Sequence, residues 1–375
     1  MRFLLRAATL GAVMAVVIAG SSSVLAGDGG ARQAVFVETN GTTGNAVLAY
    51  HRAEDGSLTQ VGNYPTGGLG GRETGSAVDP LASQGALAYD AAHGLLLAVN
   101  AGSNTVSVFG AEGDRLVLRQ VVGSGGEFPT SIAVRGRLVY VLNAGGAGGI
   151  FGYRIAGGKL HAIEGSARTL GLGNANPPFF LSAPGQIGFT PDGDHLVVTT
   201  KSNGTIDVFN VSESGRTSAV PAVTASAGPV PFAFDFDRAG RLVVTEAGSS
   251  SVTSYTIHDS GSLSVVDASV ANSQAATCWV AAARGYFFVA NTGSADLSGY
   301  AIDEAGTLSL IKGAKVAAAT GAGPIDLAAS SDGRFLYVES GGTGTVNEFH
   351  VNSDGTLVAI GTVAAAHGLE GIVAI

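Results

Sequence analysis

The chain has 375 residues, of which 46% are hydrophobic and 13% are charged, and its net charge at pH 7 is −9. Disordered proteins combine high charge with few apolar residues, so this composition indicates a folded protein of one or two domains. The acidic balance and the absence of a Lys/Arg cluster in the sequence argue against nucleic-acid binding. Because Cys278 is the single cysteine, no internal disulfide can form.

The N-terminus has the pattern of a secretory signal peptide. Two arginines precede the apolar stretch 7–20, and Val24 and Ala26 stand at the small-residue positions of a cleavage site. We therefore predict a signal peptide over residues 1–26, export from the cytoplasm, and a flexible mature N-terminus over residues 27–33. An uncleaved anchor is the alternative, although the apolar run is short for a stable membrane span.

From residue 34 onward the chain repeats one pattern of short apolar strands separated by Gly-, Asp- and Ser-rich turns. The segment 34–62 holds three such strands. Six complete units follow, and their first strands begin near residues 85, 130, 186, 232, 278 and 325. An insertion at 169–183 lengthens one unit, and the final segment 369–375 supplies one more first strand.

Four strands in about 45 residues is the period of a β-propeller blade. The segments 34–62 and 369–375 together make one blade, because the former lacks a first strand and the latter supplies it. We therefore predict an all-β fold over residues 34–375: a single-domain, monomeric, seven-bladed β-propeller. Its blades would be four-stranded and antiparallel, and both termini would close the ring within one blade.

The channel mouth of this predicted propeller gathers most of the polar candidates. In an antiparallel meander, the start of a first strand and the end of a second strand lie at the same end of the blade. The first-strand starts are Gln84, Ser131, Gln186, Cys278, Asp326 and Glu370. The second-strand ends are Asn100, Asn143, Thr200 with Lys201, Glu246, Asn291 and Glu339, and His367 precedes the closing strand.

Two groups of candidate site residues follow. The candidate catalytic residues are Glu246, Lys201 and His367; the candidate substrate-binding residues are Gln186, Asp326, Glu339 and Ser131. Glu246 and Glu339 stand out because each replaces an asparagine of the sister blades, and glutamate is a poor turn former.

Each candidate also has a structural interpretation. The asparagines would cap turns, and Lys201 would form a surface ion pair. Cys278 would pack as a small hydrophobic residue, while Gln186 and Asp326 would satisfy strand backbones. No cofactor motif is present, so we predict no cofactor. A divalent metal ion held by the carboxylate oxygens of Glu246, Asp326 and Glu370 remains an alternative.

Three phrases resemble the seven-bladed propeller lactonase family, which includes a bacterial type of 6-phosphogluconolactonase and the fungal carboxymuconate lactonizing enzymes. They are GQIGFTPDGDHLVVT at 185–199, AGRLVVTEAGSSSVTSY at 239–255 and SSDGRFLYVESG at 330–341. The resemblance implies a lactone site at the channel mouth, built from a Pro-His pair, arginine and glutamate. Glu246 matches the glutamate, but Gly185 follows Pro184 where the histidine would stand, and Val230 occupies an arginine position.

Two functional hypotheses remain at this point. The first is a secreted, lactonase-like hydrolase with a rearranged site at the mouth, acting on a small lactone. The second is a non-catalytic propeller that binds a small ligand, a glycan or a protein outside the cell. A purely structural or cell-surface component is a weaker third alternative.

Overall fold

The computed structural model describes residues 33–375, which form seven β-sheets. Each sheet contains a path of four antiparallel strands, and the first strand of each sheet contacts the first strands of the sheets on either side. This arrangement confirms the predicted seven-bladed propeller. The predicted signal peptide, together with residues 27–32 of the predicted flexible segment, lies outside the described residues.

We number the blades by the position of their first strand. Blade 1 contains Leu87–Asp90, Leu95–Asn100, Thr105–Glu112 and Arg115–Gly123. Blade 2 contains Pro129–Arg135, Leu138–Asn143, Gly149–Ala156 and Lys159–Ala162, with Arg168–Thr169 added to its third strand. Blade 3 contains Pro184–Phe189, His195–Thr200, Thr205–Asn210 and Ala222–Ala225. Blade 4 contains Pro231–Phe236, Leu242–Glu246, Ser251–Ile257 and Leu263–Ala271.

The remaining three blades complete the ring. Blade 5 contains Thr277–Ala283, Tyr286–Asn291, Asp296–Ile302 and Leu308–Leu310, with Ala318–Ala319 added to its third strand. Blade 6 contains Pro324–Ala329, Phe335–Ser340, Thr345–Val351 and Leu357–Ala364. Blade 7 contains Glu370–Ala374, Ala34–Glu38, Ala46–Arg52 and Leu58–Pro65. Two short 3₁₀ helices, Ala101–Ser103 and Ile311–Gly313, are the helices of the described chain.

The hydrophobic core lies between neighbouring blades. Second strands such as Leu95–Asn100 are buried along their whole length, because the sheet that contains them is covered on both faces. Outer strands such as Leu58–Pro65 are mostly exposed. Pairs such as Phe36 of blade 7 and Phe109 of blade 1 belong to the same apolar cluster. Packing between blades therefore holds the ring together without a disulfide.

Blade 7 closes the ring as the sequence predicts. Phe36 in the N-terminal strand pairs with Val373 in the C-terminal strand. The Ile375 amide donates a 2.9 Å hydrogen bond to the Ala34 carbonyl oxygen at the end of this pair. Within residues 33–375, no helix is both long and apolar enough to cross a membrane.

Candidate functional site

The connection between blades 7 and 1, residues 66–86, occupies the channel mouth, and we call it the strap. The Gln84 amide donates to the Gly185 carbonyl oxygen of blade 3 at 3.0 Å. The Gln84 side chain reaches blade 5, where it donates to the Val280 carbonyl oxygen and accepts from the Val280 amide, both at 2.9 Å. The Ile132 amide of blade 2 donates to the Gly85 carbonyl oxygen at 2.9 Å. The end of the strap therefore fills the channel between three blades.

The insertion at 169–183 lies against the strap. The Thr74 amide donates to the Pro178 carbonyl oxygen at 2.8 Å, and the Phe180 amide donates to the Thr74 carbonyl oxygen at 3.1 Å. These two bonds form a parallel bridge between Thr74 and Phe179. The lengthened unit seen in the sequence thus supplies a second layer over the mouth.

Lys201 is buried beneath the strap, with 1% of its surface exposed. Its Nζ donates a 2.6 Å hydrogen bond to the Ala82 carbonyl oxygen and lies 3.8 Å from Glu73 Oε2. Burial lowers the pKa of Lys201, while the carboxylates of Glu73 and Asp79 oppose that effect. Lys201 therefore does not form the surface ion pair of its structural interpretation; it makes a buried contact with the strap.

Acidic side chains surround Lys201. Asp79 Oδ1 accepts from the amides of Leu81 and Ala82 at 3.0 and 2.8 Å. Glu370 Oε1 accepts from the same Leu81 amide at 2.5 Å. Burial raises the pKa of both Asp79 and Glu370, and the contact between them lowers the pKa of Asp79 while raising that of Glu370 further. Two adjacent buried carboxyl groups resist double ionisation, so this arrangement favours a proton on the pair.

Asp326 and Glu339 extend this acidic cluster. Asp326 accepts from the amides of Leu327 and Gly85 at 2.8 and 3.4 Å, and burial raises its pKa to about 7. Glu339 is fully buried, and neither of its carboxyl oxygens has a hydrogen-bond partner among the described residues. Burial, reinforced by Asp326, holds the pKa of Glu339 well above its usual range. Both groups therefore keep a proton to higher pH than an exposed carboxyl group does.

The strand register shows that the comparison of Glu339 with the asparagines of the sister blades is wrong. Glu246 pairs with Pro231, Asn291 pairs with Thr277, and in blade 6 the same position is Ser340, which pairs with Pro324. Glu339 therefore does not replace the asparagine of its sister blades. It precedes that position by one residue, so its side chain points to the opposite face of the strand.

Glu246 does replace that asparagine, and it binds its own blade. Its carboxylate accepts from the Gly228 amide at 2.6 Å and from hydroxyl groups within 3.4 Å of it, those of Ser226, Ser251, Thr253 and Ser269. Asn291 similarly donates to Asp296 and Ser298 of its own blade. Glu246 and Lys201 therefore do not face one another across an open mouth.

Ser131 and Gln186 connect first strands around the channel. Ser131 Oγ donates to the Gln84 carbonyl oxygen at 2.6 Å and accepts from the Ile187 amide at 3.2 Å. Gln186 Oε1 accepts from the Phe234 amide at 2.7 Å. Both side chains satisfy backbone groups, as the structural interpretation of Gln186 anticipated.

The two remaining candidates lie in contrasting environments. His367 is exposed on the turn before the closing strand and makes no hydrogen bond to another described residue. Cys278 is buried in the cluster that contains Phe232 and Trp279, and burial raises the pKa of its thiol to about 12. Cys278 is therefore a packed thiol rather than a nucleophile.

Gly185 has a structural reason to lack a side chain. A β carbon at this position would lie 2.3 Å from the Phe232 carbonyl oxygen and 2.9 Å from Thr199 Oγ1. The Gly185 carbonyl oxygen is also the acceptor for the strap at Gln84. The position where the resemblance implies histidine is thus closed by the neighbouring blade.

Sequence reasoning missed the acidic residues of the strap. Glu73 and Asp79 lie in a glycine-rich segment that reads as an ordinary connection, yet both are buried against Lys201. The available signal was the presence of two acidic residues in the connection that precedes the first strand of blade 1. Within residues 33–375, no three His, Cys, Asp or Glu side chains are placed to hold a metal ion.

Part of the chain is similar to one known protein family. The family model of the seven-bladed β-propeller lactonases matches residues 174–282. The predicted family resemblance is confirmed. The matched segment contains Gly185, Lys201 and Glu246, so the similarity to the family lies in blades 3 and 4 and the start of blade 5. No curated protein sequence is significantly similar to the chain.

Solved structures share the fold at low sequence identity. A protein from Lactobacillus plantarum is 18% identical with a TM-score of 0.71, covering 92% of this chain and 99% of its own. A putative 6-phosphogluconolactonase from Bacteroides uniformis is 16% identical with a TM-score of 0.70, covering 92% and 100%. A periplasmic gluconolactonase from Pseudomonas aeruginosa is 15% identical with a TM-score of 0.67, covering 92% and 99%. At these identities the likeness concerns the fold alone.

Proposed function

We propose that this lactonase-type propeller is an exported protein that binds a small ligand and does not hydrolyse lactones. The observation that carries the proposal is the strap, whose Ala82 carbonyl oxygen is bonded to the Lys201 ammonium group at the channel mouth. A hydrolase needs a pocket in which a base, a water molecule and the substrate meet. Here the strap occupies that space, and the candidate base Glu246 is bound within its own blade.

Export and a monomeric state complete the proposal. Export rests on the signal-peptide pattern of residues 1–26. An extracytoplasmic location is compatible with a chain that is held together by packing and has a single, buried cysteine. The monomeric state rests on the closed ring, in which one chain supplies every strand of all seven blades.

Lactone hydrolysis is the second candidate, and one observation favours it. Asp326 lines the channel beside the strap, and its pKa of about 7 suits a general acid or base at neutral pH. Displacement of the strap would expose Asp326 together with Lys201, whose ammonium group would attract a carboxylated lactone. In this mechanism Asp326 would take a proton from water as the water attacks the lactone carbonyl carbon. It would then return that proton to the ring oxygen as the acyl C–O bond breaks, which releases the hydroxy acid.

The experiment separates the two candidates. The mature protein is incubated at pH 7 with glucono-δ-lactone and with a carboxylated lactone, and acid release is followed by pH-stat titration. We expect no release above the rate in buffer. Saturable turnover that is lost in Asp326→Asn and retained in the exposed control Asp194→Asn would establish hydrolysis and overturn the binding proposal.

A further inference from the structure

A groove between blades 4 and 5 lies at the end of the propeller opposite the strap. It has a volume of about 880 Å³, within the range of small-molecule sites. Its walls come from the turns that join first to second strands and from the end of the third strand of blade 5, and they include Phe236, Ala282, Phe287 and Ile302. The groove is independent of the buried acidic cluster at the mouth.

Small side chains keep this groove open. The first strand of blade 5 ends in three alanines, Ala281–Ala283, whereas the corresponding strand of blade 4 ends in Phe-Asp-Phe. Ala282 therefore leaves space opposite Phe236, which is only partly buried. The apolar walls suit a flat ring or a short hydrocarbon segment.

Three arginines and three acidic residues, Asp237, Asp303 and Glu304, line the groove. Asp237 is bonded to an arginine, and Asp303 accepts from backbone amides of its own turn. The arginines differ in their partners. Arg241 is fully engaged: it donates to Asp237 Oδ2 at 2.6 Å and to the carbonyl oxygens of Glu304 and Asp303 at 2.8 and 2.9 Å. Arg238 and Arg284 are exposed, and neither side chain donates to another described residue. The Arg238 guanidinium lies beside Gly285, since a β carbon there would be 3.7 Å from Arg238 Cζ.

The groove between blades 2 and 3 provides a contrast. There Arg135 donates to the Pro191 carbonyl oxygen of the next blade at 2.6 Å, and the volume is about 370 Å³. Arg135 is therefore already engaged in a hydrogen bond that joins the two blades. Only in the larger groove do two guanidinium groups remain without partners among the described residues, next to an apolar wall.

We propose that the groove between blades 4 and 5 binds a small organic anion with a flat apolar body, such as an aromatic carboxylate. Arg238 and Arg284 would bind the carboxylate by charge-assisted hydrogen bonds. The alanine-lined wall opposite Phe236 would hold the ring. This inference rests on the proposed ligand-binding function and assigns a site to it.

The test uses 2-naphthoate as the probe and isothermal titration calorimetry of the mature protein. We expect saturable binding with one site per chain, and at least tenfold weaker binding of the neutral 2-naphthamide. Arg238→Ala/Arg284→Ala should weaken naphthoate binding at least tenfold with an unchanged melting temperature. The matched control is Arg137→Ala/Arg216→Ala, which removes two exposed arginines from other blades and should leave binding unchanged.

A second variant tests the apolar wall. Ala282→Leu would fill the groove and should abolish binding of both naphthalene compounds. The proposal is overturned if the wild type shows no saturable naphthoate binding, or if Arg238→Ala/Arg284→Ala binds as tightly as the wild type. Either result leaves the strap and the lactone assay unaffected, so failure of this site is distinguishable from failure of the proposed function.

Discussion

The ammonium group of Lys201 and the carbonyl oxygen of Ala82 are 2.6 Å apart, and this hydrogen bond joins blade 3 to the strap. Lys201 is also 3.8 Å from Glu73, and its charge acts on Asp79. One buried cation therefore holds a segment that carries two acidic groups of its own. The contact explains how a glycine-rich connection becomes an ordered part of the channel.

Replacement of Lys201 by methionine should destabilise the protein strongly. The variant keeps the packing volume but leaves Glu73, Asp79 and the Ala82 carbonyl oxygen without their cation. Removing one partner of a buried ion pair costs about 3–5 kcal/mol in the free energy of unfolding. Urea denaturation at pH 7 measures the loss. Lys312→Met, at an exposed pair with Asp354, is the control and should be neutral; equal effects of both variants would contradict this role of Lys201.

Cys278 should report whether the strap is in place. Its thiol is buried, has a pKa of about 12 and is the single thiol of the chain. The native protein should therefore react with iodoacetamide at pH 8 only at the rate of global unfolding, because the thiolate is the nucleophile. Lys201→Met should react faster than the wild type. Rapid alkylation of the native wild type, followed by mass spectrometry, would show that the strap does not seal this region.

Restoring histidine at position 185 should disrupt the fold rather than create activity. Even a β carbon would lie 2.3 Å from the Phe232 carbonyl oxygen, so Gly185→His must displace the backbone of blade 4 or the strap. Overpacking of this kind costs about 1–3 kcal/mol in the free energy of unfolding. Gly44→Ala, where an added β carbon meets nothing within 4 Å, is the control in the same denaturation experiment. A variant as stable as the wild type would refute this explanation of Gly185.

Glu246→Gln should lower the free energy of unfolding, and the loss should be the same with or without a substrate present. An amide nitrogen cannot accept the hydrogen bonds that Ser251 and Ser269 donate to Oε2. Leaving buried donors unsatisfied costs about 1–3 kcal/mol in the free energy of unfolding. Thermal unfolding measures the change, with the exposed Glu213→Gln as the control. An unchanged melting temperature would show that Glu246 does not hold blade 4 together.

Asp326 should make the protein less stable as the pH rises. Its pKa is about 7 in the folded protein and about 3.9 in an unfolded chain. The unfolded chain loses this proton first, so the group's favourable contribution is complete below about pH 4 and is lost as the pH rises to about 7. Urea denaturation across this window should show a smaller pH dependence for Asp326→Asn than for the wild type. Identical slopes would contradict a buried, protonated Asp326.

The sequence by itself determined the architecture. Each blade repeats a short-range pattern of apolar strands and turns, and the incomplete ends at 34–62 and 369–375 require one another. Such local periodicity survives in the one-dimensional sequence, because neighbouring strands in a meander are also neighbours along the chain. The strand starts near 85, 130 and 186 agree with the observed first strands within two residues.

Only the tertiary structure decided what the channel mouth contains. Lys201 and Ala82 are 119 positions apart, and Gln84 and Val280 are 196 positions apart. No local pattern encodes such contacts, so the sequence could name candidate residues for the mouth but not their partners. Glu246 ends the second strand of blade 4, and Lys201 follows the second strand of blade 3. The Glu246 carboxylate is bonded within its own blade, whereas the Lys201 ammonium group is bonded to the strap. Burial and long-range hydrogen bonding, which depend on the whole ring, make that difference.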